Sequence, residues 1–281
     1  MSDRVSEGHP RLAPSAIERC ALMLREAHDR MEPVPPLRTQ YPAARLSDAY
    51  AIQDCNTAHW LDAGRVAVGA KIGLTAKAVQ KQLGIDQPDF GILFADMEVP
   101  DGGVVSPGRL IQPKVEGEIA FVLDATPDAD RMTTAELLDC VAYALPALEI
   151  VDSRIARWDI GIFDTVADNA SSGLFVLGTR PVPIEAIDLR LCGMVLEKNG
   201  EPASFGAGAA CLDNPLHALR WLAGTMARIG RPLAAGDIVL SGALGPMVPV
   251  QAGDRIAMRI NGIGDVQVRF APETSEGAAH G

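Results

Sequence analysis

This sequence has no cysteine pair at metal-binding spacing, no long apolar run and no excess of positive charge, and each gap removes a class of function. Its five cysteines, Cys20, Cys55, Cys140, Cys192 and Cys211, are odd in number and widely scattered. Neither a disulfide framework nor a zinc site follows from them, and a reducing cytoplasm is the simpler setting. The opening MSDRVSEGHPRLAPS lacks the apolar core of a signal peptide, and apolar stretches elsewhere are broken by Pro, Gly or charge well short of a membrane span. The expectation is a soluble, cytoplasmic protein. A formal net charge of −11 argues against nucleic acid and anionic membrane surfaces as partners. It also means that an anionic substrate needs positive charge supplied locally. No G-x-S-x-G is present, so serine-hydrolase chemistry has no support. Gly206-Ala-Gly208 lacks the residues that complete a phosphate or dinucleotide loop. His59 and His217 fall within expected helices and read as packed or exposed. No internal repeat or low-complexity tract is visible.

What is there suits a substantial core. Hydrophobic residues make up 48% of the 281, enough for one large domain or one domain with a smaller appendage. Ser15 and Glu18 have capping-box spacing ahead of a helix that turns Ile17, Cys20, Ala21, Leu24 and Ala27 inward. Pro33–Pro36 ends it. A second helix follows Ser47, carries Ile52, Cys55 and Ala58 inward and stops near Gly64. Beyond Gly64 the pattern turns to strands, beginning with Val66–Leu74. Asn199-Gly200 and Asn261-Gly262 between β-like runs predict hairpins with type I′ turns. Two helices interrupt the strands. One starts at Thr133 with Glu136 completing a capping box, and one has Asn214 as its cap and Pro215 at its first position. Hairpins with scattered helices predict an α+β fold with a largely antiparallel core.

The chemically unusual segment is Lys114-Val-Glu-Gly-Glu-Ile-Ala-Phe-Val-Leu123. On a strand Glu116 and Glu118 share one face, continued by Ala120 and Val122. Side-by-side carboxylates on a strand that becomes apolar repel each other and are desolvated. Glu149 lies in the apolar run Ala-Leu-Pro-Ala-Leu-Glu-Ile-Val, another costly place for a lone charge. Three such carboxylates become favourable around a hard divalent cation, magnesium or manganese. The plainer alternative is a solvated strand face paired to surface lysines.

Several stretches resemble a known family. Gly69-Ala-Lys-Ile-Gly-Leu-Thr75 is similar to the K-I-G-L-T signature of the 2-oxopent-4-enoate (2-hydroxypenta-2,4-dienoate) hydratases of the fumarylacetoacetate hydrolase superfamily. The resemblance continues through Gln87–Gly91, Leu93–Met97, Gln112–Ala120, Leu145–Val151, Asp164–Ser171 and Gly236–Pro246, in one order from about Leu46 to Phe270. It implies a mixed β-roll core with a small helical N-terminal portion. The expected division is a helical portion at 1–65, a catalytic domain at 66–271 and a loose tail at 272–281. It also implies a magnesium or manganese site held by Glu116, Glu118 and Glu149, the same three residues the charge argument singles out. Homo-oligomers are expected from the resemblance too. The family's hydrolases use a histidine–carboxylate pair, and no histidine lies in the matching segments.

The implied reaction adds water to a small 2-hydroxydienoate and gives a 4-hydroxy-2-oxo acid, in the meta-cleavage degradation of aromatic compounds. Lys71 is the candidate to offset the carboxylates and bond the substrate; its alternative is an ordinary strand-end lysine. Asp89, with Asp86 as a weaker competitor, is the candidate proton carrier; its alternative is a turn residue after proline. Ser171 is the candidate substrate-orienting hydroxyl, or else a loop side chain that caps backbone. Two other activities remain open from sequence. One is the sister decarboxylase acting on 2-oxo-3-hexenedioate, and the other is a non-catalytic partner subunit of that enzyme.

Overall fold

Pro14, rather than Ser15, starts the first helix. The computed structural model describes residues 12–77, 80, 81, 85 and 87–273. Within it α1 spans Pro14–Arg30 with Ala13 at the cap, and no side chain caps it. A proline at the first position has its φ preset and lacks the N–H that would go unpaired, so the Ser15–Glu18 capping box is not needed and does not form. Cys20, Ala21, Leu24 and Ala27 are buried as expected, and Ile17 is half-buried. A single turn, α2 (Leu37–Gln40), precedes α3 (Leu46–Asp62).

The face of α3 differs from the expected one. Ile52 is buried, but Cys55 is half-buried and Ala58 exposed. The inward face carries Tyr50, Gln53, Asn56 and Thr57 instead. Two of these polar groups find partners there: Gln53 Nε2 donates to the carbonyls of Phe90 (2.9 Å) and Val166 (3.1 Å). Arg25 donates to Asn56 Oδ1. The buried face of α3 is therefore mixed, with Ala49 and Ile52 packed beside polar groups that bond to the adjoining elements.

The strands follow as β1 (Ala67–Gly73), β2 (Asp89–Phe94), β3 (Val104–Val105), β4 (Pro113–Leu123), β5 (Val141–Asp152) and β6 (Ser172–Leu177). Helix α4 (Thr134–Asp139) lies between β4 and β5, with Thr133 and Glu136 forming the expected capping box. Helix α5 (Ile162–Ala167) lies between β5 and β6. Then come β7 (Gly193–Lys198), β8 (Glu201–Ala207), α6 (Pro215–Arg228), β9 (Ile238–Leu240), β10 (Val248–Pro249), β11 (Arg255–Ile260) and β12 (Gly264–Phe270). Asn214 caps α6 by accepting from the Leu216 N–H. Asn199 and Gly200 both take positive φ in the β7–β8 hairpin. The β11–β12 hairpin differs from expectation: Ile260 pairs with Gly264, so three residues make the turn and only Gly262 among them has positive φ.

One sheet has the order β2-β1-β9-β4-β5-β6, with β10 beside the start of β4. The other runs β3-β12-β11-β7-β8. Pairing is antiparallel except for β1 with β9 and β12 with β3. This mixed architecture has the expected α+β, β-roll character. Alternation along β4 divides its residues between two faces. Val115, Ile119 and Phe121 are fully buried on one of them. On that side a Cβ at Gly117 would come within 2.5 Å of Met258 sulfur, so the second sheet packs directly against it. Glu116 and Glu118 point the other way. Among the described residues, no helix is long and apolar enough to cross a membrane.

The parallel contact of β1 with β9 is tight. Gly69 has φ +145, and a Cβ there would lie 1.9 Å from the Ile238 carbonyl oxygen. Gly69→Ala is therefore expected to destabilise the fold by about 1–3 kcal/mol, measured by denaturant unfolding. An unchanged unfolding midpoint would contradict this packing.

Candidate metal centre

Register brings the three glutamates together. Glu116 of β4 stands directly opposite Glu149 of β5, and Glu118 follows two residues along the same face. One oxygen from each of the three lies within 4.8 Å of the others. Glu118 and Glu149 are 0% and 1% exposed, whereas Glu116 keeps partial exposure.

Lys71 reaches this cluster from a distant strand. In the order β1-β9-β4-β5 it starts three strand spacings from Glu149, about 14 Å on a flat sheet. Yet Lys71 Nζ is 3.0 Å from Glu149 Oε1. Long side chains bridge part of that gap and curling of the sheet closes the rest, so the carboxylates line a concave face.

Small residues opposite large ones make the inner wall fit. Gly73 pairs with Asp89 and Lys71 pairs with Gly91 across β1 and β2. A Cβ on Gly73 would fall 2.2 Å from Asp89 Oδ1 and 3.6 Å from Lys71 Nζ. A Cβ on Gly91 would fall 2.3 Å from the Asn169 carbonyl oxygen and 2.9 Å from Ser172 Oγ. The two glycines thus admit the Asp89 carboxylate and the 169–172 turn. On the far side, Glu118 Oε2 accepts from the Gly242 N–H at 2.8 Å. Gly242 has φ +104 and lies against Thr75, where a Cβ would come within 2.5 Å of the side chain.

The charge balance is incomplete as it stands. Both Asp89 oxygens, both Glu149 oxygens and Glu118 Oε1 are buried without a hydrogen-bond partner among the described residues. The Lys71–Glu149 contact is an ion pair without hydrogen-bond alignment. Burial, then repulsion from Glu149, pushes the Glu116 carboxyl up to about 7, with Lys71 opposing. The same two causes hold Glu118 well above the ordinary carboxylate range. Burial raises Asp89 to about 6 against the pull of Lys71. Burial alone would lower Lys71; Glu149, Asp89, Glu116 and Glu118 outweigh it and hold the ammonium firmly protonated. Clustered, under-bonded carboxylate oxygens are the donors a hard divalent cation takes, and Lys71 offsets their charge without being a ligand, so the residues present fit such an ion.

Of the six residues singled out from sequence, five meet here: Lys71, Asp89, Glu116, Glu118 and Glu149. Ser171 is buried on the adjoining turn, and its hydroxyl lies 3.3 Å from Thr165 Oγ1. Asp86 lies outside the described residues. His59 and His217 are exposed.

Sequence reasoning missed the support of the Ser171 turn. Asn169, Ala170 and Ser171 all have positive φ, a strained run for non-glycine residues. Asn169 fixes it to β2 by accepting from Ile92 N (2.8 Å) and donating to Ile92 O (2.9 Å). Arg154 spans its ends, donating to the carbonyls of Asp168 (2.6 Å) and Ser172 (2.7 Å) and pairing with the Asp168 carboxylate. Nothing local in the sequence signals that Arg154 would do this.

Residues 62–271 match the fumarylacetoacetate (FAA) hydrolase C-terminal family. The chain is 55% identical over 254 residues to 2-keto-4-pentenoate hydratase 1 of Dechloromonas aromatica, covering 90% of this chain and 97% of that one. It belongs to the 2-keto-4-pentenoate hydratase group of the fumarylacetoacetate hydrolase superfamily. The hydratase of Paraburkholderia xenovorans is 51% identical over 268 residues, 95% of this chain and all of that one. Among solved structures, 4-oxalocrotonate decarboxylase from Pseudomonas putida G7, complexed with magnesium and adipate, superposes with a TM-score of 0.90. It is 35% identical and covers 93% of this chain and 100% of that one.

The raised carboxyls have a consequence for this member of the hydratase group. Acids that ionise less readily folded than unfolded leave the fold less stable as pH rises through their folded values. Without a cation the protein should therefore lose stability from the ordinary carboxylate range up to about pH 7. Magnesium should reverse the loss. Thermal unfolding at about pH 5 and about pH 8, with chelator and with magnesium, measures this. A chelated protein equally stable at both would contradict it.

Proposed function

We propose that the chain hydrates 2-hydroxypenta-2,4-dienoate or a close homologue to a 4-hydroxy-2-oxo acid, using magnesium or manganese held by Glu116, Glu118 and Glu149. The observation that carries this is the carboxylate trio, in which Glu118 and Glu149 are buried with unpartnered oxygens and Lys71 lies 3.0 Å from Glu149. When bound, the metal acts as a Lewis acid toward the 2-oxygen of the substrate. Lys71 lies beside the same trio, so its ammonium offsets their negative charge and can donate a hydrogen bond to the substrate's carboxylate or 2-oxygen.

Overall, the enol proton is given up, C5 gains a proton, and water adds its oxygen to C4 and a proton to C3. Asp89 is placed to move these protons. Its carboxyl, raised to about 6, exchanges a proton near neutral pH more readily than an ordinary aspartate. Gly73 is needed for Asp89 to hold that place. Ser171 orients the substrate from its turn. The helical portion ends at residue 65 and the catalytic domain spans 66–271, and the enzyme works in the cytoplasm as a homo-oligomer.

The decarboxylase relative is 35% identical, against 51% and 55% for the two 2-keto-4-pentenoate hydratases above, which favours hydration. Following the ultraviolet absorbance of freshly generated dienoate tests the assignment. Loss of the diene is expected with magnesium or manganese and not with chelator, without release of carbon dioxide. Glu116→Gln should be nearly inactive. Lys71→Met should lower kcat by about 10²–10³, and Asp89→Asn by about 10²–10⁴. A diene that persists with both metals would overturn the assignment and revive the partner-subunit alternative.

A further inference from the structure

Alternation along β4 puts Lys114 on the same face as Glu116 and Glu118, and the pairing with β5 is regular from Pro113 to Val122. Burial deepens along that face. Lys114 and Glu116 are partly exposed, and Glu118 is fully buried. Along β4 the carboxylate face therefore opens to solvent towards Lys114. Lys71 is buried and committed to Glu149, so it is not the cation an arriving anion meets first. Lys114 forms no ion pair among the described residues. Its Nζ instead lies 4.2 Å from the centroid of the Trp158 ring.

That ring is firmly held. Trp158 Nε1 donates to the Gln112 carbonyl at 2.9 Å, and Gln112 Nε2 donates to the carbonyls of Ser153 and Ile155. Lys114 is thus a cation fixed at the mouth of a carboxylate-walled site, in a chain of net charge −11.

We propose that Lys114, stacked on Trp158, captures the carboxylate of the 2-oxo or 2-hydroxy acid substrate as it enters, offsetting the repulsion from the glutamates behind it. This rests on the hydratase assignment only for the substrate's being a small anion. A cation at the mouth of a cleft raises the capture rate and affinity of an anion, and salt screens the effect. It has no part in the bond-making steps.

The test uses the magnesium-loaded full-length enzyme and its Lys114→Met and Lys114→Arg variants. Steady-state turnover of the dienoate is measured from low to high salt. Binding of 2-oxopentanoate, a saturated analogue, is followed separately by tryptophan emission, with Trp158→Phe as control. For Lys114→Met we expect kcat/KM and analogue affinity to fall about tenfold at low salt and to approach the wild type at high salt. Its kcat and melting temperature should be unchanged, and Lys114→Arg should restore binding. The emission change on binding should be lost in Trp158→Phe.

Lys114→Met behaving as wild type at every salt concentration, or losing kcat in parallel at all of them, would overturn the proposal. If the wild type fails to turn over the dienoate but binds 2-oxopentanoate in this salt-dependent, Lys114-dependent way, the capture role stands and the hydratase assignment falls. If it turns over the dienoate and Lys114→Met has no effect, the reverse holds.

Discussion

Mutual repulsion among buried carboxylates is the constraint around which this fold is arranged. Glu116, Glu118, Glu149 and Asp89 converge on a space where water is largely excluded and Lys71 alone, among the described residues, makes ion-pair contact. Removing a carboxylate from water costs several kcal/mol even after relaxation. One lysine does not offset four such groups, and the unpartnered oxygens record the shortfall. A divalent cation held there would resolve it and tie stability, pH response and chemistry to the same few atoms.

The surrounding architecture serves that convergence. Curling of the first sheet brings β1 towards β5, and Gly73 and Gly91 leave the volume that Asp89 and the 169–172 turn fill. The second sheet supports the reverse side of β4 through Met194 and Met258 against Gly117. Helix α3 helps to fix β2 through Gln53, which bonds the Phe90 carbonyl beside Asp89. The N-terminal helices thereby contribute to the site without placing a side chain in the trio.

Much of this was legible in sequence because it depends on local rules. Period-two alternation put Glu116 and Glu118 on one face, and a lone charge in an apolar run marked Glu149. The caps at Thr133 and Asn214 follow from local hydrogen bonding, and both form. What was not legible depends on partners far away in the chain. The inward turn of Gln53 on α3 depends on acceptors on β2 and α5. The partnership of Arg154 with Asp168 exists only once the chain has folded; Lys71 was expected beside the carboxylates, but which of them it would meet was not legible. The positive φ of Asn169, Ala170 and Ser171 carries no glycine signature, so composition gave no warning of the turn.

The central claim is that all three glutamates hold one cation. Anomalous diffraction from crystals soaked in manganese tests it most directly. The account predicts a single strong peak with an oxygen from each of Glu116, Glu118 and Glu149 at about 2.1 Å, close to the distance hard octahedral cations require. A peak ligated by none or only one of them, or bound elsewhere while the trio stays empty, would contradict it.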